Sequence, residues 1–236
     1  MAADTDKPPL PEHLDRVDLG LAALAAGAGS MDAVGFFALG GALPSAMTGN
    51  TALLGLALGR GHFAAAAPPL AAGIGFALGT ALAVTLLHLG LERLPARRAA
   101  GWLLVFEALS LAGFLLLWLL GGRPAGGPAL FLLILLGAGS MGIQGVAARQ
   151  DDRHGISTVV FTSTLTAIVI ALTKAMLSRP HRLSFAVKRQ IFAYLSYGLG
   201  AVAGGLLSWL GTEAMAFIPA AAAVAGLCLH LGSRRS

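Results

Sequence analysis

The amino-acid sequence predicts an all-α integral membrane protein of about six transmembrane helices plus two broken or re-entrant segments, arranged as an internal, inverted repeat. Three observations lead there. Of 236 residues, 56% are hydrophobic and only 11% charged, less than half the roughly 25% of an ordinary globular domain, and the mean hydropathy is +0.79. Apolar stretches near 19–43, 70–91, 101–120, 129–148, 156–173, 190–210 and 214–231 approach or exceed the roughly 20 residues that cross a bilayer core. Finally, Gly27-Ala28-Gly29-Ser30-Met31 recurs letter for letter as Gly137-Ala138-Gly139-Ser140-Met141. One long apolar stretch could be a buried core helix, but this many cannot.

Residues 1–18 carry Asp4, Asp6, Glu12, Asp15 and Asp18 against Lys7 and Arg16, unlike the basic start of a signal peptide, and read as a cytoplasmic tail. The first repeat is predicted over 19–121, a Gly/Pro-rich linker over 122–127, the second repeat over 128–232 and a short tail over 233–236. Beyond the shared pentapeptide, Met47-Thr48-Gly49-Asn50-Thr51-Ala52-Leu53 corresponds to Phe161-Thr162-Ser163-Thr164-Leu165-Thr166-Ala167. A small-residue helix follows in each half, with Gly75 and Gly79 in one and Gly200 and Gly204 in the other. That i, i+4 spacing lets membrane helices approach closely, as does the general richness of 32 glycines.

The second segment of the first repeat is interrupted by Pro44, Gly49 and Asn50, leaving about 52–59 as clean helix, too short to span. Cytoplasmic loops carry the excess of Lys and Arg. Eight full crossings would put Arg93, Arg97, Arg98, Arg149 and Arg153 outside. If the second segment of each repeat enters and leaves by one face, only Arg60 and Arg123 of the 16 Lys and Arg residues lie outside. The six-span arrangement follows, with both termini inside and the repeats running in opposite directions, a plan common among secondary transporters. The stretch 156–173 is apolar enough to cross outright, which would give seven spans.

Asp32 lies about halfway along the first stretch, where an ionised carboxylate costs on the order of 2.5 to 3.5 kcal/mol. It is a candidate proton- or cation-coupling group; the bland alternative is a hydrogen-bonded packing residue. Pro44, Thr48, Gly49, Asn50 and Thr51 form a second constellation. Pro lacks a donor and Gly tolerates unusual dihedrals, so a helix can break there. Thr48, Asn50 and Thr51 would line the break, and a helix N-terminus near Thr51 would suit an anionic group; the alternative is that Ser45 or Thr48 merely caps a short helix. Pseudo-symmetry would bring Gln144 and Thr162 towards Asp32 and Asn50, although Gln144 alone reads more simply as an interhelical hydrogen bond. Glu107, with Ser110 three residues on, reads as structural, reaching towards the interface.

The net charge of +5 does not imply nucleic acid, since the basic residues sit between apolar stretches and form no face with interleaved aromatics. Lys174, Arg179, Arg182, Lys188 and Arg189 form a loop that holds its face in the cytoplasm, with anionic lipid contact a lesser reading. Cys228 is the single cysteine, so no intrachain disulfide can form. The six histidines show no metal-ligand spacing, and no metal or cofactor is predicted. Ser30 and Ser140 lack the Gly-x-Ser-x-Gly setting of a hydrolase nucleophile.

Met31-Asp32-Ala33, Phe36-Phe37, Pro44 and Met47-Thr48-Gly49-Asn50-Thr51 resemble the signature of the YoaK family of bacterial inner-membrane proteins, a domain of unknown function, and the order of segments is similar from about 19 to 232. The second half departs from it. Gly142-Ile143-Gln144-Gly145-Val146 stands where the family has Gly-x-Gln-Asn-Ala, and Thr162-Ser163 where a second Thr-Gly would stand. The resemblance implies a bacterial cytoplasmic-membrane location and a site dominated by the first half; it implies no activity.

The sequence thus leads to a small secondary transporter of an unidentified solute, in which Asp32 binds a proton or cation and the Thr48–Thr51 break contacts substrate. A non-transporting scaffold or partner subunit is the alternative, and an intramembrane hydrolase the third. A watery cavity at Asp32 favours the first, a dry and fully paired Asp32 the second. The expected partners are the lipid bilayer, a small molecule or ion and, as an open possibility, further copies of the chain, but not nucleic acid.

Overall fold

The computed structural model describes residues 13–121, 127–150, 161–177, 183–210 and 212–233. Among them are eight α-helices and no strand: α1 (Arg16–Ala38), α2 (Met47–Gly59), α3 (Phe63–Leu89), α4 (Ala96–Leu120), α5 (Gly127–Gln150), α6 (Phe161–Leu177), α7 (Phe185–Leu210) and α8 (Phe217–Gly232). Short 3-10 turns at Leu91–Arg93 and Thr212–Ala216 lead into α4 and α8. Six helices are long and apolar enough to cross a bilayer, the exceptions being α2 and α6. At 13 residues α2 reaches about 20 Å, and the 17 described residues of α6 about 26 Å, against the roughly 30 Å hydrocarbon core. Among the described residues the expected six spans and two shorter segments are present.

α1 starts three residues earlier than expected because Asp15 builds a capping box. Its carboxylate accepts from Val17 N (2.9 Å) and Asp18 N (3.0 Å), while its own N–H donates to Asp18 (3.1 Å), which satisfies donors that the first turn otherwise leaves unpaired. Residues 1–12 of the tail expected over 1–18, 122–126 of the linker, the start of 156–173, Arg179 and Arg182 of the basic loop, and 234–236 of the C-terminal tail lie outside the described residues.

α1 and α5, which carry the repeated pentapeptide, are the most enclosed spans: 72% and 67% of their apolar windows are buried, against 33% or less in the other four. α1 packs against α7 and α8, and α5 against α3 and α4. The pentapeptide explains their central place. Ser30 and Ser140 return their hydroxyls to the carbonyls of Gly27 (2.8 Å) and Gly137 (2.7 Å), so neither hydroxyl is left unpaired in the core. Met31 and Met141 fill it beside Phe114, Trp118 and Ile134. Both serines therefore sit inside helices, α1 and α5.

The small-residue helices pack as expected. A Cβ on Gly79 would strike the Gly139 backbone, and one on Gly200 the backbone of Ala26. Arg16, Arg93, Arg97, Arg98, Arg149, Lys188 and Arg189 fall at the end of the bundle where α1 begins, while Arg60, in the turn between α2 and α3, lies at the other.

Candidate functional site

After α1 the chain reverses through Gly40 (φ 69°) and Gly41 (φ 80°), left-handed values that favour glycine. Residues 42–45 then run back along the last turns of α1, and they fit only because Gly35 lacks a side chain, whose Cβ would collide with Ala42 and Pro44. This return segment brings irregular backbone beneath the end of the helix, where its polar groups need partners. Two side chains supply them. Asn50 accepts from Leu43 N (2.9 Å) and donates to Leu43 O (2.7 Å). Asp32 accepts from Ser45 N (2.7 Å) and from the Ser45 hydroxyl (2.6 Å).

A third bond to Asp32 crosses the molecule, for the Tyr197 hydroxyl on α7 donates to its Oδ2 at 2.6 Å. Both carboxylate oxygens are thus engaged, and Asp32 is only 5% exposed. The site joins the helix break to α7 across 165 residues of sequence. Fourteen residues nearer the N-terminus, about 21 Å along α1, a second buried tie joins the same helices: Arg189 Nε donates to Asp18 Oδ2 at 2.9 Å.

Against this geometry the expected site divides. Asp32 lies at its centre, and Asn50 supports the same loop by holding Leu43. The break falls over 39–46 rather than at Thr48–Thr51, because Gly40, Gly41 and Pro44 together end and redirect the chain, so α2 is already helical from Met47. Gly49 makes room for the Leu43 side chain, its Cβ position lying 2.9 Å from Leu43 Cδ1. Thr48 and Thr51 are exposed, and the Thr51 hydroxyl bonds back to Met47 O (3.0 Å). The anion that suits the α2 N-terminus is Asp32 itself.

Gln144 and Thr162 do not join the centre. Gln144, 1% exposed, donates to Leu24 O on α1 at 3.3 Å, and its Oε1 has no partner. Thr162 is exposed on α6. The reason is angular: Asp32 follows Met31 by one residue, whereas Gln144 follows Met141 by three, and two residues turn an α-helix by about 200°. The position matching Asp32 is Gly142, against which Phe76 and Thr80 of α3 pack directly. Glu107 does not reach the interface either; it is 1% exposed with Oε2 unpartnered, while Ser110 donates to Leu136 O at 3.1 Å.

Ser45 and Tyr197 are the partners that sequence reasoning missed as members of this site. Tyr197 shares the glycine face of α7, three and seven residues before Gly200 and Gly204, which was the one available signal. Among the described residues no group of His, Cys, Asp and Glu is arranged to hold a metal.

Six apolar spans, two short helices and one buried carboxylate at a helix break define a multi-pass α-helical membrane protein. The family described as "Protein of unknown function (DUF1275)" matches residues 20–229, and the chain belongs to it. It is 32% identical over 180 residues to the "UPF0700 transmembrane protein YoaK" of Bacillus subtilis (strain 168), covering 74% of this chain and 76% of that protein. No solved structure matches.

Proposed function

We propose that this protein is a small secondary transporter of an unidentified solute, with Asp32 as the group that carries the coupling proton or cation. The observation that carries this reading is the buried carboxylate, within a helix long and apolar enough to cross a bilayer, that ties the α1–α2 break to Tyr197 on α7. An intramembrane ionisable group at a broken helix is the usual mark of an ion or substrate pathway. As a carboxylate Asp32 only accepts. Adding a proton to Oδ2 would require the Ser45 or Tyr197 hydroxyl to turn from donor to acceptor, so ion occupancy would bear directly on the α1–α7 contact.

The packing supports an inverted duplication, since α1 rests on α7 and α8 as α5 rests on α3 and α4. Each central helix is thereby served by the other half. The charges support a cytoplasmic-membrane protein with both termini inside, since Arg60 lies alone among the basic residues named above at the far end of the bundle. In a Cys228→Ala background, cysteines at Ala96 and Arg60 should then label from opposite faces.

A second reading, a scaffold or partner subunit, is favoured by the state of Asp32 expected for it from the sequence, since the carboxylate is 5% exposed and both its oxygens are bonded within the chain. Reconstituted vesicles screened with metabolite mixtures under imposed proton and sodium gradients separate the two. Transport predicts gradient-driven uptake that Asp32→Asn abolishes in folded protein. Unchanged uptake by that variant removes Asp32 from the mechanism, and no driven uptake of any solute favours the scaffold.

A further inference from the structure

At the end of the bundle where α1 begins, α4 and α8 enclose an open groove of about 870 Å³ lined by Arg97, Arg98, Trp102, Val105, His230 and Leu231. Its base is built. Arg97 donates to His230 O and to the Ser233 hydroxyl, the His230 ring bonds Arg97 O at 2.9 Å, and Gly101 lets the two helices meet at that ring, 3.5 Å from its Cβ position. The charge is not balanced. Among the described residues neither Arg97 nor Arg98 has a carboxylate in ion-pairing range, and the oxygens that Arg97 does bond are neutral.

The position of these cations is also unfavourable for the fold alone. Both lie in the first turn of α4, where the helix dipole is positive, and that turn has no side-chain cap. Arg97 is compensated by the last-turn carbonyl of α8, but among the described residues the Arg98 guanidinium has no partner, and a local rule broken there without compensation points to compensation from outside. Away from the arginines the wall becomes apolar: Trp102 is 52% and Leu231 64% exposed, and Trp102 lies six residues, about 9 Å, into α4, near a helix end as amphipathic aromatics at a headgroup boundary are.

We infer that this groove is a binding site for an anionic glycerophospholipid, its phosphate held by Arg98 and the uncapped first turn of α4, and its acyl chain lying along Trp102, Val105 and Leu231. A basic pocket between membrane helices on the positively charged side has the chemistry for such a headgroup. The site is independent of whether the protein transports.

Purified full-length protein in detergent, titrated with phosphatidylglycerol, phosphatidylcholine or inorganic phosphate and followed by native mass spectrometry and thermal unfolding, tests this. Phosphatidylglycerol should bind preferentially and raise the unfolding temperature. Arg98→Gln, which leaves the Arg97 contacts to α8 in place, should weaken that binding about fivefold, and Arg60→Gln at the far end should not. Equal binding of phosphatidylcholine, undiminished binding by Arg98→Gln, or inorganic phosphate competing at the affinity of the lipid would each overturn the assignment.

Discussion

At the α1–α7 contact Gly200 brings backbone against backbone at Ala26, and at the α5–α3 contact Gly79 does the same at Gly139. The two contacts diverge in what surrounds those glycines. α1 and α7 are also joined by Asp18–Arg189 and by Asp32–Tyr197. In the other contact Gly142 stands where Asp32 would be, and the Thr80 hydroxyl beside it is buried without a partner. Close packing of small residues is therefore enough to dock a helix pair in this bundle, and the polar ties of α1–α7 add something that docking does not require. Fixing the helix break to α7 is what they add, since Asp32 holds Ser45 and Tyr197 at once.

If that is so, cutting a tie should cost most where a charge is stranded. Arg189→Ala leaves Asp18 buried without its cation and should lower stability by about 3–5 kcal/mol, read from unfolding in detergent. An effect below about 1 kcal/mol would mean that the pair is solvated in the membrane-embedded protein. The glycines come next and should behave alike on both sides. Gly200→Ala and Gly79→Ala each force a methyl into facing backbone and should cost about 1–3 kcal/mol. Gly73→Ala and Gly198→Ala, with nothing within 4 Å of the added atom, should be near neutral. Unequal costs at Gly200 and Gly79 would break the equivalence of the two contacts.

The same contrast explains how far the sequence could be read. Spans depend on length and apolarity alone, which a linear sequence displays, and the paired glycines at Gly75/Gly79 and Gly200/Gly204 mark contacts by spacing. Asp32 stood out because a carboxylate amid apolar residues is costly wherever it lies. Its partners did not stand out, since Ser45 and Tyr197 are ordinary residues whose meaning comes from a chain reversal and from a helix 165 residues away. Thr48 and Thr51 fall outside the break for the converse reason: polar side chains at a helix start suggest where the chain turns, but here Gly40 and Gly41 turn it earlier and both threonines are exposed on α2. Gln144 shows that sequence proximity to a repeated motif does not carry over helical phase.

Removing single hydroxyls gives the finest comparison. Tyr197→Phe takes one of two hydrogen bonds from Asp32 Oδ2 and leaves a buried carboxylate less well satisfied, so it should destabilise by about 1–2 kcal/mol. Thr80→Val removes a hydroxyl of nearly the same volume that makes no bond, and the penalty of burying an unpaired polar atom disappears with it. This variant should be neutral or more stable by up to about 1 kcal/mol, a change opposite in sign to the first at the corresponding contact. Unfolding of both variants under one detergent condition gives the comparison directly. If Thr80→Val instead destabilised by as much as Tyr197→Phe, the Thr80 hydroxyl would have a partner in the membrane, and the α5–α3 contact would contain a polar tie of its own rather than bare packing.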